Sequence, residues 1–135
     1  MSIFDRVMVR DAGGLARAAV PGEGFFGNTR SVDYATDAAY TLTVNDISGG
    51  CFRITGITAN RNFTTPTAAQ ITAAAPNMSP GDSFNFMVSV IPSFNPTWVA
   101  NTGITLQGRA TLPGFVISFV EVTKVSDTAY IWKCL

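Results

Sequence analysis

From residue 40 onward, apolar and polar positions alternate in short runs. In YTLTV, Tyr40, Leu42 and Val44 fall on one face and the threonines on the other, and NDISGG predicts a turn after them. A period of two is the mark of a half-buried strand. CFRITGIT repeats the pattern, with Phe52 and Ile54 opposite Arg53 and Thr55. DSFNFMVSV sets Phe84, Phe86, Val88 and Val90 against Ser83, Asn85 and Ser89, and PSFNP ends the run with two prolines. TWVA is brief; ITLQGRATL then opposes Ile104, Leu106, Ala110 and Leu112 to Thr105, Gln107, Arg109 and Thr111. AYIWKCL closes the chain, again strand-like.

FVISFVEV departs from this rule. Phe115, Ile117 and Phe119 line one face while Val116, Val120 and Val122 line the other. A strand apolar on both sides is either central between two layers or pressed against another subunit. Residues Phe115, Ile117, Phe119, Val120, Glu121 and Val122 are therefore expected to form both core and oligomer seam. Glu121 interrupts the run and is expected at the rim or paired, with Arg109 the natural partner type.

One short helix is expected over about 66–75, in TTPTAAQITAAAP. Either Thr65 caps it with Pro66 at the first helical position, or Thr67 caps it and Gln70 closes a capping box. Pro76 ends it. Ala68, Ile71, Ala74 and Ala75 give it a thin apolar face suited to close packing as a plug or crossover. The pattern as a whole predicts a mainly β, antiparallel sandwich or jelly-roll-like domain over residues 40–135.

Residues 1–39 read differently. Nine of the eighteen charged residues fall there, and glycines at 13, 14, 22, 24 and 27 with Pro21 interrupt every period. Yet the segment is too apolar for plain disorder. It is expected to be an extended N-terminal arm that orders by lying on something, with Ile3, Phe4, Val7, Met8, Phe25 and Phe26 as its contact residues.

Composition narrows the function. Only 13% of the 135 residues are charged, about half the usual share of roughly 25%. A surface so poor in charge suits a protein partly covered by partners. Nine basic and nine acidic residues cancel and no basic run occurs, so nucleic-acid binding is not expected. No apolar run is long enough to span a membrane, and Asp5, Arg6 and Arg10 break any secretory core at the start, pointing to assembly in a cytoplasm. Cys51 and Cys134 are far apart in sequence and are expected to be free thiols, a disulfide being the alternative.

Catalytic signals are missing. The chain has no histidine, which removes the commonest general base and zinc ligand. Asp46 and Asp127 sit in turn-like contexts where Asp bonds nearby backbone, and Asp82 follows Gly81 at a strand start. Neither Lys124 nor Lys133 lies in a helical S-x-x-K pattern, and GEGFFG at 22–27 neither follows a strand nor opens a helix. Sequons at Asn62 and Asn77 mean little without a secretory signal. No enzyme activity, cofactor or metal is expected.

The stretch TTPTAAQITAAAPNMSPGDSFNFMV, with NTGITLQG and the valine-rich strand after it, resembles a module of virion proteins from tailed phages and other double-stranded DNA viruses. The resemblance covers roughly residues 55–125, and the family includes capsid decoration, or cement, proteins. It implies a protein on the capsid exterior, often a homotrimer, that bridges major capsid protein subunits and reinforces the shell. Other virion parts (tail, fibre or head-fibre base) are the first alternative. A carbohydrate-binding module, with Trp98 as a stacking platform, is the second.

Overall fold

A computed structural model describes residues 30–135 in full and, before them, the backbone of Met8–Arg10 (β1) and Ala16–Ala18 (β2), which pair as an antiparallel hairpin. Of the expected arm contacts, Met8 lies in β1. Ile3, Phe4, Val7, Phe25 and Phe26 lie outside the described residues.

The described domain is mainly β, with a six-stranded sheet, a three-stranded sheet and two short helices. The large sheet runs β3 (Arg30–Tyr34), β5 (Gly50–Ile54), β7 (Ser83–Val90), β10 (Ile117–Ser126), β11 (Ala129–Cys134), β9 (Ile104–Gly108). The small sheet runs β4 (Tyr40–Thr41), β6 (Asn62–Thr64), β8 (Thr97–Val99). β3 pairs with β5 in the large sheet, so Arg30–Tyr34, within the stretch that composition assigned to the arm, are part of that sheet.

The expected antiparallel arrangement is corrected to a mixed one. From β3 to β8 the chain visits the two sheets alternately, so it returns to each sheet running in the direction it left. Hence β3, β5 and β7 are mutually parallel, and so are β4, β6 and β8. Only β7–β10 and β10–β11 are antiparallel in the large sheet, while β9 joins β11 in parallel. Gly108 ends β9 at φ +74°, where a Cβ would sit 2.0 Å from the Cys134 carbonyl oxygen. Only glycine fits that turn.

Two helices replace the expected one, and they occupy equivalent places in successive coils. α1 (Val44–Ser48) lies between β4 and β5; α2 (Ala68–Ala74) lies between β6 and β7. Each opens with a reciprocal capping box, Thr43 with Asp46 and Thr67 with Gln70. Each then buries the next residue, Ile47 or Ile71. The run YTLTV is therefore a strand only at its first two residues. The local hydrogen bonds of T-x-x-D outweigh the alternation, because they satisfy orphan N–H groups that a strand would leave to a neighbour.

The two sheets share one core. Phe52, Phe84, Phe86, Val88, Val120, Val122 and Trp132 of the large sheet meet Phe63 and Trp98 of the small one. Trp98 and Trp132 pack edge to face at 5.1 Å, and Phe86 meets Trp132 at 5.2 Å. Edge-to-face contact suits the ring quadrupoles. Below, Tyr34 and Tyr40 stack at 4.4 Å beside Phe52 and Phe63. α2 closes one end: Ala68, Ile71 and Ala75 face in, and Ala74 faces solvent. Thr72 donates to the Asp127 carbonyl (2.7 Å) and meets the Tyr130 hydroxyl at 2.9 Å.

Cys134 points into this core, while Cys51 lies on the opposite face of the sheet, alternating with buried Phe52 and Ile54. Both are free, and the sheet between them rules out a bridge within one chain.

Candidate interaction surface

β10 has one face in the core and one in water. Ser118, Val120, Val122 and Lys124 are buried, whereas Ile117 (56% exposed), Phe119 (51%) and Val125 (51%) point out. Phe115, just ahead of the strand, is 75% exposed. Of the expected seam, Phe115, Ile117 and Phe119 thus form an outer set, Glu121 is half-buried, and Val120 and Val122 are core and unavailable to a partner. Val116, expected beside Val120, is exposed, because β10 begins only at Ile117 and the turn before it resets the alternation.

Register places neighbours around this set. Across the large sheet, one outer row runs Ser31, Cys51, Met87, Phe119, and the Leu135 N–H donates to the Phe119 carbonyl at 2.9 Å. The next row runs Asp33, Arg53, Ser89, Ile117. Leu135 and Ile91 are also exposed, so the apolar surface extends past both flanks of β10. Phenyl and branched aliphatic side chains exposed to this degree present on the order of 500 Å² of apolar area, near the top of the range for a monomer.

Charge is confined to the margins. Arg53 bridges Asp33 at 3.3 Å on one side. On the other, Glu121 stands opposite Lys133 on β11 and Asn85 on β7, so the register gives it a lysine as neighbour rather than Arg109. Arg109 lies past the end of β9, its N–H bonded to the Cys134 carbonyl.

The remaining titratable groups hold the scaffold. Asp46, buried under Tyr40, accepts from the Tyr40 hydroxyl (2.7 Å) and the Thr43 N–H (2.7 Å). Burial, then the bond to Asp46, pushes the Tyr40 phenol up to about 12. Asp37 accepts from the Thr58 hydroxyl and N–H and from Arg61, and the Thr58 hydroxyl chiefly holds its carboxyl below the usual range. Lys124 reaches out of the core end to the Met78 carbonyl (2.9 Å) and Asp127 (2.8 Å), and the latter contact raises its pKa. Asp82 accepts from the Ser79 N–H at 2.8 Å, as a turn acid does. Burial pushes the Cys134 thiol up. The Trp98 indole N–H, which makes no conventional hydrogen bond, lies close enough to that sulfur to offset part of the rise.

Trp98 itself is 3% exposed and belongs to the core, so it offers no platform for a sugar. Among the described residues no group of three or more His, Cys, Asp or Glu side chains could hold a metal ion, and no helix is long and apolar enough to cross a membrane. Sequence reading missed Ile91, Met87 and Leu135 as parts of the outer surface. Met87 and Leu135 join it only through strand pairing, which single-strand periodicity does not encode. No family model matches the chain, and neither a curated protein nor a solved structure matches it.

Proposed function

We propose that this chain is a structural assembly protein of a virion, a decoration protein that lies on the capsid exterior and bridges major capsid protein subunits. One observation carries the assembly reading: a stable sheet presents an outer surface of phenylalanine and branched aliphatics where a solitary sheet would be polar. The resemblance over residues 55–125 supplies the capsid. Within the portion it covers, α2 is capped at its start, and Thr72 ties it to the β10–β11 turn. Reinforcing a shell requires stiffness and contact area rather than a reacting group. Copies would act together, and tethered weak contacts gain avidity of about 10²–10⁴. The homotrimer implied by the resemblance is one such arrangement, and residues 1–29 are the segment proposed to reach along the shell.

Quantitative mass spectrometry of purified virions tests this. Copies in numbers comparable to the major capsid protein support decoration of the lattice. A handful per particle moves the protein to a tail, fibre or vertex, and absence removes it from the virion.

A further inference from the structure

The turn that enters β10 is built to hold one aromatic ring in water. Phe115 has φ +62°, the left-handed region that non-glycine residues seldom adopt. It is the only non-glycine residue with positive φ among the described residues, and it is also their most exposed large hydrophobic. Strained backbone that presents an apolar side chain to solvent has no benefit for folding; such strain gathers at functional positions.

The turn is also fixed from every side. The Phe115 N–H donates to the Pro92 carbonyl (3.1 Å), and the Val90 N–H donates to the Val116 carbonyl (3.2 Å). The Gly114 N–H donates to the Asn95 side-chain oxygen (2.9 Å), and the Asn95 N–H donates to the Asn60 side-chain oxygen (2.8 Å). Gly114 is pressed on the preceding loop so closely that a Cβ would lie 2.5 Å from the Ser93 carbonyl carbon. The phenyl ring is therefore presented with little backbone freedom left to lose on binding, the condition under which aromatic side chains dominate an interface.

The margins of the surface indicate its occupant. Asp33 and Arg53 on one side, with Glu121 and Lys133 on the other, contribute two charges of each sign. A strongly acidic or basic partner would meet as much repulsion as attraction. A surface of the same composition supplies each sign with its opposite. The whole chain is neutral by formal count, so copies do not repel at long range. The apolar area, with its polar margin, approaches the ~800 Å² per partner of a standard interface.

We infer that the outer surface of β10 seats a second copy of this chain, anchored by Phe115 and Phe119. This rests on the assembly reading of the same surface and names its occupant, and purified protein with no shell protein present tests it separately from the capsid.

Sedimentation equilibrium of the full chain across a wide concentration range is the test, with unfolding midpoints measured alongside. Wild type is expected to self-associate. Phe119→Glu, which adds a charge to an exposed position, is expected to keep its unfolding midpoint and sediment as a monomer. Phe115→Gly takes the left-handed turn without strain, so its midpoint is expected to be unchanged or higher while association weakens about tenfold or more. A structural role for Phe115 would move both readouts together. A wild type that stays monomeric overturns the inference, as do variants that assemble like wild type. So does self-association that appears only after residues 1–29 are deleted, which would make that segment the occupant. Shell-protein binding that is lost in Phe119→Glu while wild type remains monomeric would assign the surface to the shell and likewise overturn it.

Discussion

The two faces of β10 differ by one residue of register and by their entire purpose. Inward, Val120 and Val122 are fully buried against Phe84, Phe86 and Trp132, and the face ends on Lys124, whose ammonium escapes the core to a carbonyl and a carboxylate. Outward, Ile117 and Phe119 are equally apolar and half exposed. Both faces obey the same hydrophobic chemistry, but only one is satisfied by the chain's own fold. Apolar character by itself therefore does not distinguish core from interface; what lies opposite does.

Substitutions should separate the two faces by size of effect. Trp132→Ala empties the centre of the core, where Trp98 and Phe86 pack on the indole. It is expected to cost about 3–5 kcal/mol in urea unfolding. A loss under about 1 kcal/mol would mean the two sheets do not share a core.

The capping boxes come next. Thr43→Ala and Thr67→Ala are each expected to cost about 0.5–2 kcal/mol. The α1 substitution should be the more damaging, because its partner Asp46 is buried and also holds Tyr40, whereas Gln70 is exposed. Equal losses would show that Asp46 adds nothing beyond an ordinary cap.

The pH dependence of stability should be narrower in reach. Asp37 has its carboxyl pKa lowered on folding, chiefly by the Thr58 hydroxyl. A depressed pKa adds stability above the unfolded value, near 3.8, and that stability is lost as pH falls through the lower folded value. Asp37→Asn should flatten this part of the acid limb in urea midpoints taken between about pH 2 and 5. An unchanged limb would place the acid sensitivity elsewhere. Smallest of all is the outer surface: Phe119→Glu should alter unfolding by no more than about 0.5 kcal/mol. A loss of core size would make Phe119 part of the fold and erase the comparison.

Much of this division was legible in the sequence. Alternation located the inward faces of β5 and β7, and of the two helix starts that the sequence offered, the Thr67–Gln70 capping box is the one α2 uses. It grouped Phe115, Ile117 and Phe119 as one set. Strand direction was not legible, because a period of two encodes which side a residue faces and not which neighbour its strand joins. α1 was hidden for another reason: Tyr40, Leu42 and Val44 satisfy the strand pattern, while the capping signal T-x-x-D reads equally well as a turn. β3 went unseen because an edge strand with alternate positions in water can carry Arg30 and Asp33 and still pair. The strain at Phe115 leaves no trace in residue types, since phenylalanine does not advertise a positive φ.

Hydroxyl-radical footprinting at low and high protein concentration tests the contrast between faces most directly. Phe115, Phe119 and Met87 should be oxidised in dilute protein and protected on concentration, while Trp98 and Trp132 stay unreactive throughout. Outer residues that remain equally reactive at every concentration would contradict the account, leaving β10 with a surface that no second copy covers.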